Sequence, residues 1–156
     1  MALYNKIISL LEEYTIEYTE YNHAPILNYE DAEREKANHH WHGIESKNVF
    51  MNDEKWGYYL FVTIQGKKVD FKHMKELTWE KLSLASTDDV RGIIQCIPWC
   101  VAPFGFDHSI ITIVDKEVFS YEKYLFSPGI ATQTIELCLH DLEKIFREQP
   151  NTLFIH

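Results

Sequence analysis

The chain is predicted to fold as an α+β domain built on a mixed β-sheet, and three observations lead there. Short stretches rich in β-branched and aromatic residues outnumber the helical ones, and the two kinds interleave irregularly rather than alternating as a doubly wound fold requires. At 156 residues with 46% hydrophobic content, the chain suits one domain with a substantial core. No repeat, low-complexity run or Gly/Pro/Ser-rich linker divides residues 1–156, so a single domain is expected over that whole range.

The elements follow from local pattern. Leu3, Ile7, Leu10, Leu11 and Tyr14 recur at three-to-four spacing, which predicts an amphipathic helix over 2–14. Alternation over Glu17–Tyr21 predicts a short strand. Asn28, with Asp31 three residues on, opens a helix through about Ala37. A polar, His-rich loop (His39-His40-Trp41-His42) then ends at Gly43. Strands are expected over Asn48–Met51, Tyr58–Ile64 and Lys68–Phe71, with turns at Asn52-Asp53 and Gln65-Gly66. Ser86-Thr87-Asp88-Asp89 is a helix start, and that helix runs to about Gln95 before Pro98. Ile110–Val114 is a continuous apolar strand turned back at Asp115-Lys116. Two short strands near Tyr124–Ser127 and Thr132–Leu137 precede a last helix, Leu139–Arg147, with Leu142, Ile145 and Phe146 on one face.

Composition bounds the function. Net charge −9 argues against a sequence-independent nucleic-acid binder and against DNA as a partner, although a local patch of Lys67, Lys68 and Lys72, with Lys47 deeper, can still meet phosphates. Cys96, Cys100 and Cys138 make no disulfide framework, and the Cys96–Cys100 spacing is not that of a zinc knuckle. Contiguous histidines on one loop rarely converge on a metal, so no metal and no cofactor are expected. No apolar run reaches the roughly 18 residues of a membrane span and no signal-peptide core opens the chain, so a cytoplasmic protein without a membrane partner is expected. Glycine-rich nucleotide cradles and a Gly-x-Ser-x-Gly elbow are both missing.

Two segments carry the functional reading. Lys47-Asn48-Val49-Phe50-Met51, preceded by Gly43, is followed about fifty residues later by Val101-Ala102-Pro103-Phe104-Gly105-Phe106. In order and spacing they resemble the active-site pair of the YbaK / prolyl-tRNA editing superfamily. Tyr58-Tyr59-Leu60, Val69-Asp70, Leu84-Ala85-Ser86, Glu136 and Asp141-Leu142 extend the resemblance over roughly 15–147. Tyr21-Asn22-His23-Ala24-Pro25-Ile26 is similar to the family's aromatic–x–His–x–Pro–Val stretch. Ser127 and Thr134, seven positions apart, fit the cysteinyl-tRNA deacylase branch, whereas Ser127 and Ala131 replace the His and Asn of the alanine-clearing branch. Trp99 stands in place of the loop's first glycine, and Gln95 stands where a glycine usually ends the preceding helix.

The resemblance implies a strongly curved, barrel-like sheet flanked by helices. It also implies a trans-acting deacylase that hydrolyses the ester of a small mischarged amino acid, of Cys or Ala type, on tRNA for proline. Lys47 is expected to anchor the terminal nucleotide, and backbone N–H groups near Gly105 to polarise the ester carbonyl. Tyr21, His23, Asn48, Pro103, Phe104, Ser127 and Thr134 are the expected substrate contacts. The expected partners are the acceptor end of mischarged tRNA and, transiently, prolyl-tRNA synthetase. The alternative is a catalytically inactive homologue that binds tRNA 3′ ends or a synthetase. An open cleft between Lys47 and Gly105 that admits an aminoacyl-adenosine favours the enzyme; a cleft plugged by Trp99 favours the binder.

Overall fold

A computed structural model describes residues 2–155. Helix α1 (Ala2–Glu13) buries Leu3, Ile7 and Leu11, the face its spacing predicts. Strand β1 (Tyr18–Asn22) leads to α2 (Tyr29–His39), whose first turn is capped by the Asn28 side chain accepting from the Asp31 N–H at 2.8 Å. β2 (Ile44–Asn52) and β3 (Tyr58–Ile64) form an antiparallel hairpin. Then come α3 (Phe71–Thr78), the two-residue β4 (Ser83–Leu84) and α4 (Thr87–Ile93). β5 (Ile111–Asp115) runs into a 3-10 turn over Lys116–Ser120. β6 (Lys123–Phe126), β7 (Gln133–Cys138), α5 (Leu139–Glu148) and β8 (Thr152–Ile155) complete the order.

The strands are hydrogen-bonded in the order β1-β7-β6-β2-β3-β5-β8, with β4 joined to β2 off that path. Parallel pairs (β2–β6, β3–β5, β5–β8) and antiparallel ones make the sheet mixed, as expected. The path has two ends, β1 and β8, so the sheet stays open and does not close into the barrel that "barrel-like" suggests.

β2 is the joint of the molecule. It pairs with β6 only through Ile44 and Glu45, and with β4 only through Met51 and Asn52. Between those contacts its β3 side is fully paired, but no strand lies along the opposite side of Ser46–Val49.

Side chains alternate across the central strands. Phe50, Leu60, Val62 and Val114 face the larger core with Ile7 and Leu11 of α1 and Leu142, Ile145 and Phe146 of α5. Met51, Tyr59, Phe61 and Ile113 face the other way, against Met74 of α3 and Leu82. Both faces of the sheet are therefore covered.

Three local expectations are corrected. Lys68–Phe71 is not a strand: Asp70 caps α3, its carboxylate accepting from the His73 N–H at 3.1 Å, and Val69, Met74 and Leu77 pack against the second cluster. The β-like composition of Val69 and Phe71 conceals this cap. α4 stops at Ile93 because Gln95 turns into the left-handed region, φ 55. β4 and β8 escaped the pattern reading because one is two exposed residues long and the other is defined by long-range parallel pairing with β5.

Met74 is 1% exposed and is the only fully buried residue of α3. Met74→Ala is expected to lower unfolding free energy by about 2–5 kcal/mol, read from urea denaturation. A change within about 0.5 kcal/mol would mean that α3 is not packed as described.

Candidate functional site

Where β2 parts from β6 a cleft of about 600 Å³ opens. Its walls are Ser46–Val49 of β2, the end of β6 through Ser127, the Pro98–Val101 loop, and His23, Trp41 and Thr134. Because β2 has no neighbour there, every second residue of 46–49 directs its peptide groups into the cleft.

Lys47 stands on this edge. Its Nζ donates to the Lys67 carbonyl at 2.5 Å. That carbonyl is itself held, because Lys67 Nζ ion-pairs with Asp115 and Glu117, each at 2.5 Å. Asp115 is fully buried and also accepts from the Thr63 hydroxyl at 2.9 Å and the Glu117 N–H at 3.0 Å. Burial alone would push the Asp115 carboxyl up, but Lys67, the Glu117 N–H and Thr63 outweigh it and hold the carboxyl below the usual range. An ammonium has three donors, so the two that Lys47 does not use on Lys67 are free for a ligand.

Asn48 points to the opposite face, as strand alternation requires. Its Nδ2 donates to the Val101 carbonyl at 3.0 Å, which clamps the 98–101 loop to β2. Buried polar atoms without a hydrogen-bond partner in the chain gather here: Asn48 Oδ1, Trp41 Nε1 and Gln133 Oε1 all belong to cleft-lining residues.

The far wall offers acceptors. Ser127 Oγ donates to the Ile130 carbonyl at 3.1 Å and accepts from the Gly129 N–H at 3.2 Å. His23 Nδ1 lies 2.7 Å from the Ala24 carbonyl, which only accepts, so in the neutral ring that nitrogen carries the hydrogen. Nε2 then accepts from the Thr134 hydroxyl at 2.8 Å. Both hydroxyls have committed their hydrogens to the protein, so they turn lone pairs to the cleft. The His23 turn is fixed by its N–H to Thr132 O (3.0 Å) and by the Ala24 N–H to buried Glu35 (3.1 Å). One end of the cleft thus carries the ammonium groups of Lys47 and Lys68, with Lys67 paired to Asp115 and Glu117, and the other accepts hydrogen bonds.

Other expected residues are placed differently. Tyr21 lies behind the wall, its ring 5.4 Å from Trp41 and 5.6 Å from His39, and burial together with Glu136 pushes its hydroxyl up. Pro103, Phe104 and Gly105 are not on the lining. Phe104 is buried against Phe126 and Phe146, at 5.5 and 6.4 Å. Gly105, with φ 104, faces α1, where a Cβ would come within 3.0 Å of Ile7 and 3.1 Å of Leu3. The part of this loop that reaches the cleft is 98–101, several residues earlier. Trp99 sits at the rim, 46% exposed, and leaves the cleft open.

Sequence reasoning missed Trp41 and Cys100. Trp41 is buried and stacks on His39 at 5.3 Å and 12°; a lone tryptophan inside the polar 39–42 run was its signal. The Cys100 thiol donates to the Ile26 carbonyl at 3.4 Å, and burial pushes it up while Ser127 opposes the shift. Among the described residues, no group of three or more His, Cys, Asp or Glu side chains is placed to hold a metal ion. No helix among them is long and apolar enough to cross a membrane.

A family model described as "Aminoacyl-tRNA editing domain" matches residues 23–145. The prolyl-tRNA editing protein ProX of Acetoanaerobium sticklandii is 28% identical over 152 residues, covering 94% of this chain and 92% of that one. Two solved structures share the fold. The hypothetical protein APE2540 has a TM-score of 0.80 at 17% identity, over 96% of both chains. A proposed trans-editing enzyme for prolyl tRNA synthetase has a TM-score of 0.72 at 16% identity, over 91% of this chain and 90% of that one.

The Asp115 carboxyl gives this site a pH signature. Its folded pKa lies below its unfolded one, so its stabilisation is complete above about pH 4 and is lost as pH falls through the folded value. Asp115→Asn should flatten the acid limb of a stability-versus-pH curve relative to wild type. Parallel acid limbs in the two proteins would contradict the network.

Proposed function

The chain belongs to the aminoacyl-tRNA editing domain family, and from that membership we propose that it is a trans-acting deacylase clearing a small mischarged amino acid from tRNA for proline. The observation that carries this reading is the polarity of the cleft, cationic at Lys47 and hydrogen-bond-accepting at Ser127 and Thr134. An aminoacyl ester on a terminal ribose has matching polarity. Its phosphate seeks an ammonium, and its protonated α-amine seeks lone pairs.

In this arrangement Lys47 and Lys68 hold the terminal phosphate while Ser127 and Thr134 receive the α-ammonium. Peptide N–H groups on the open edge of β2 and in the 98–101 loop polarise the ester carbonyl, the role that the sequence assigned near Gly105. Water adds to that carbonyl and the tetrahedral intermediate collapses. The ribose oxygen leaves with a proton, which gives free amino acid and tRNA with its terminal hydroxyl restored. No lining side chain stands out as a strong base, which fits activation of the water by a group of the substrate itself, a ribose hydroxyl or a thiol.

The seven-residue Ser127–Thr134 spacing favours a cysteine-type substrate, and alanine is the second choice. This reading places the protein in the cytoplasm, meeting mischarged tRNA as prolyl-tRNA synthetase releases it. The open rim beside Trp99 weighs against the non-catalytic alternative.

Deacylation of cysteinyl- and alanyl-tRNA for proline, with prolyl-tRNA as control, tests the proposal. Wild type should release one mischarged amino acid and spare proline. Lys47→Ala should lower kcat/KM by roughly ten- to a hundred-fold, the value of a lost charge-assisted contact. Release at the spontaneous rate from all three substrates would sink the proposal.

A further inference from the structure

Away from the cleft, two tryptophans stand almost wholly in solvent: Trp56 is 89% exposed and Trp79 is 88% exposed. Both have left-handed backbones, φ 67 and 64, a conformation in which glycine would be the easier residue. Neither ring serves the fold. The β2–β3 turn is fixed by the Asp53 carboxylate, which accepts from the Lys55 and Gly57 N–H groups, each at 2.7 Å. The end of α3 is closed by the Trp79 N–H to the Lys75 carbonyl at 2.8 Å, a bond that needs no indole. Lys55 and Glu80, adjacent to them in sequence, form an ion pair at 3.0 Å, which ties the β2–β3 turn to the end of α3.

The surface between these rings and the cleft is less acidic than the rest of the chain. Residues 53–81 hold six of the chain's 15 basic side chains and five of its 24 acidic ones, a local +1 in a chain of −9. α3 starts just beyond Lys67 and Lys68, which line the cleft, and ends at Trp79. Its eight residues span about 12 Å, with Lys72 and Lys75 exposed and Met74 turned to the sheet.

We infer that Lys72, Lys75, Trp56 and Trp79 form a docking track for the single-stranded 3′ end of the tRNA whose aminoacylated terminus occupies the cleft. The inference rests on the deacylase reading for its ligand. Unpaired nucleotides present a phosphate for each lysine and a base face for each indole, and stacking tolerates any base. The track also reconciles an acidic protein with a polyanionic partner: the contact is confined to one strip that is contiguous with the cleft.

The test uses the whole protein and the double variant Trp56→Ala/Trp79→Ala, whose exposed positions leave the core untouched. Two readings are taken: Kd for uncharged tRNA at fixed salt, and kcat/KM on both mischarged tRNA and an aminoacyl-adenosine. The expected result is a loss of roughly five-fold or more in tRNA affinity and in kcat/KM on tRNA, with turnover of the aminoacyl-adenosine unchanged. Lys72→Glu should weaken tRNA binding and make its salt dependence shallower. Unchanged tRNA affinity in the double variant overturns the track, and so does an equal loss on both substrates. Unchanged tRNA affinity with lost binding to prolyl-tRNA synthetase reassigns the surface to a protein. A wild type that releases no amino acid, yet loses tRNA affinity with the two indoles, upholds the track and fails the deacylase reading alone.

Discussion

β2 cannot satisfy two neighbours along one side, and the site follows from that constraint. It begins beside β6, ends beside β4, and between them leaves Ser46–Val49 as a strand edge inside the molecule. An unpaired edge is ordinarily a liability. Here it is walled by the 98–101 loop and by Ser127, so its peptide groups face an enclosed volume rather than another chain. The Asn48 amide holds that loop in place through the Val101 carbonyl. The other face of the strand carries Lys47, whose direction is set by a carbonyl that the Lys67–Asp115 pair immobilises. A long flexible side chain becomes a fixed cation because each member of that chain of contacts is itself held.

Charge is sorted by distance rather than by total. The chain is acidic, yet five of its twelve lysines stand at or near the cleft: Lys47 on β2, Lys67 and Lys68 after β3, and Lys72 and Lys75 on α3. Average repulsion governs an approaching polyanion at long range, while local fields decide what happens at contact. Such a protein is suited to gripping an RNA by its tip and releasing it, which is the behaviour that a proofreading step in trans calls for.

Much of this was legible in the sequence, for physical reasons. α1 and α5 were readable because their burial is local and periodic, as Leu3, Ile7 and Leu11 show, α2 through its Asn28 cap, and the β2–β3 hairpin through its β-branched and aromatic runs. Lys47, Asn48, His23, Ser127 and Thr134, named from separate segments, all line one cleft. α3 was lost because Asp70, a helix cap, sits between two β-favouring residues. β8 was lost because its only strand partner is β5, far off in sequence. Gly105 looked like a cleft residue because glycine signals close approach, and it does mark one, but the approaching group is α1. Trp41 and the clamp on Lys67 were invisible since each depends on residues that only the fold brings together.

The central claim is that the ester end of an aminoacyl-tRNA lies between the β2 edge and the Ser127–Thr134 wall. Backbone amide shifts on titration with a non-hydrolysable, amide-linked 3′-aminoacyl-adenosine test it most directly. The account predicts saturable changes confined to Ser46–Val49, Trp99–Val101, His23 and Ser127–Thr134. Changes centred on Phe104–Phe106 and α1, or no saturable change at all, would contradict it.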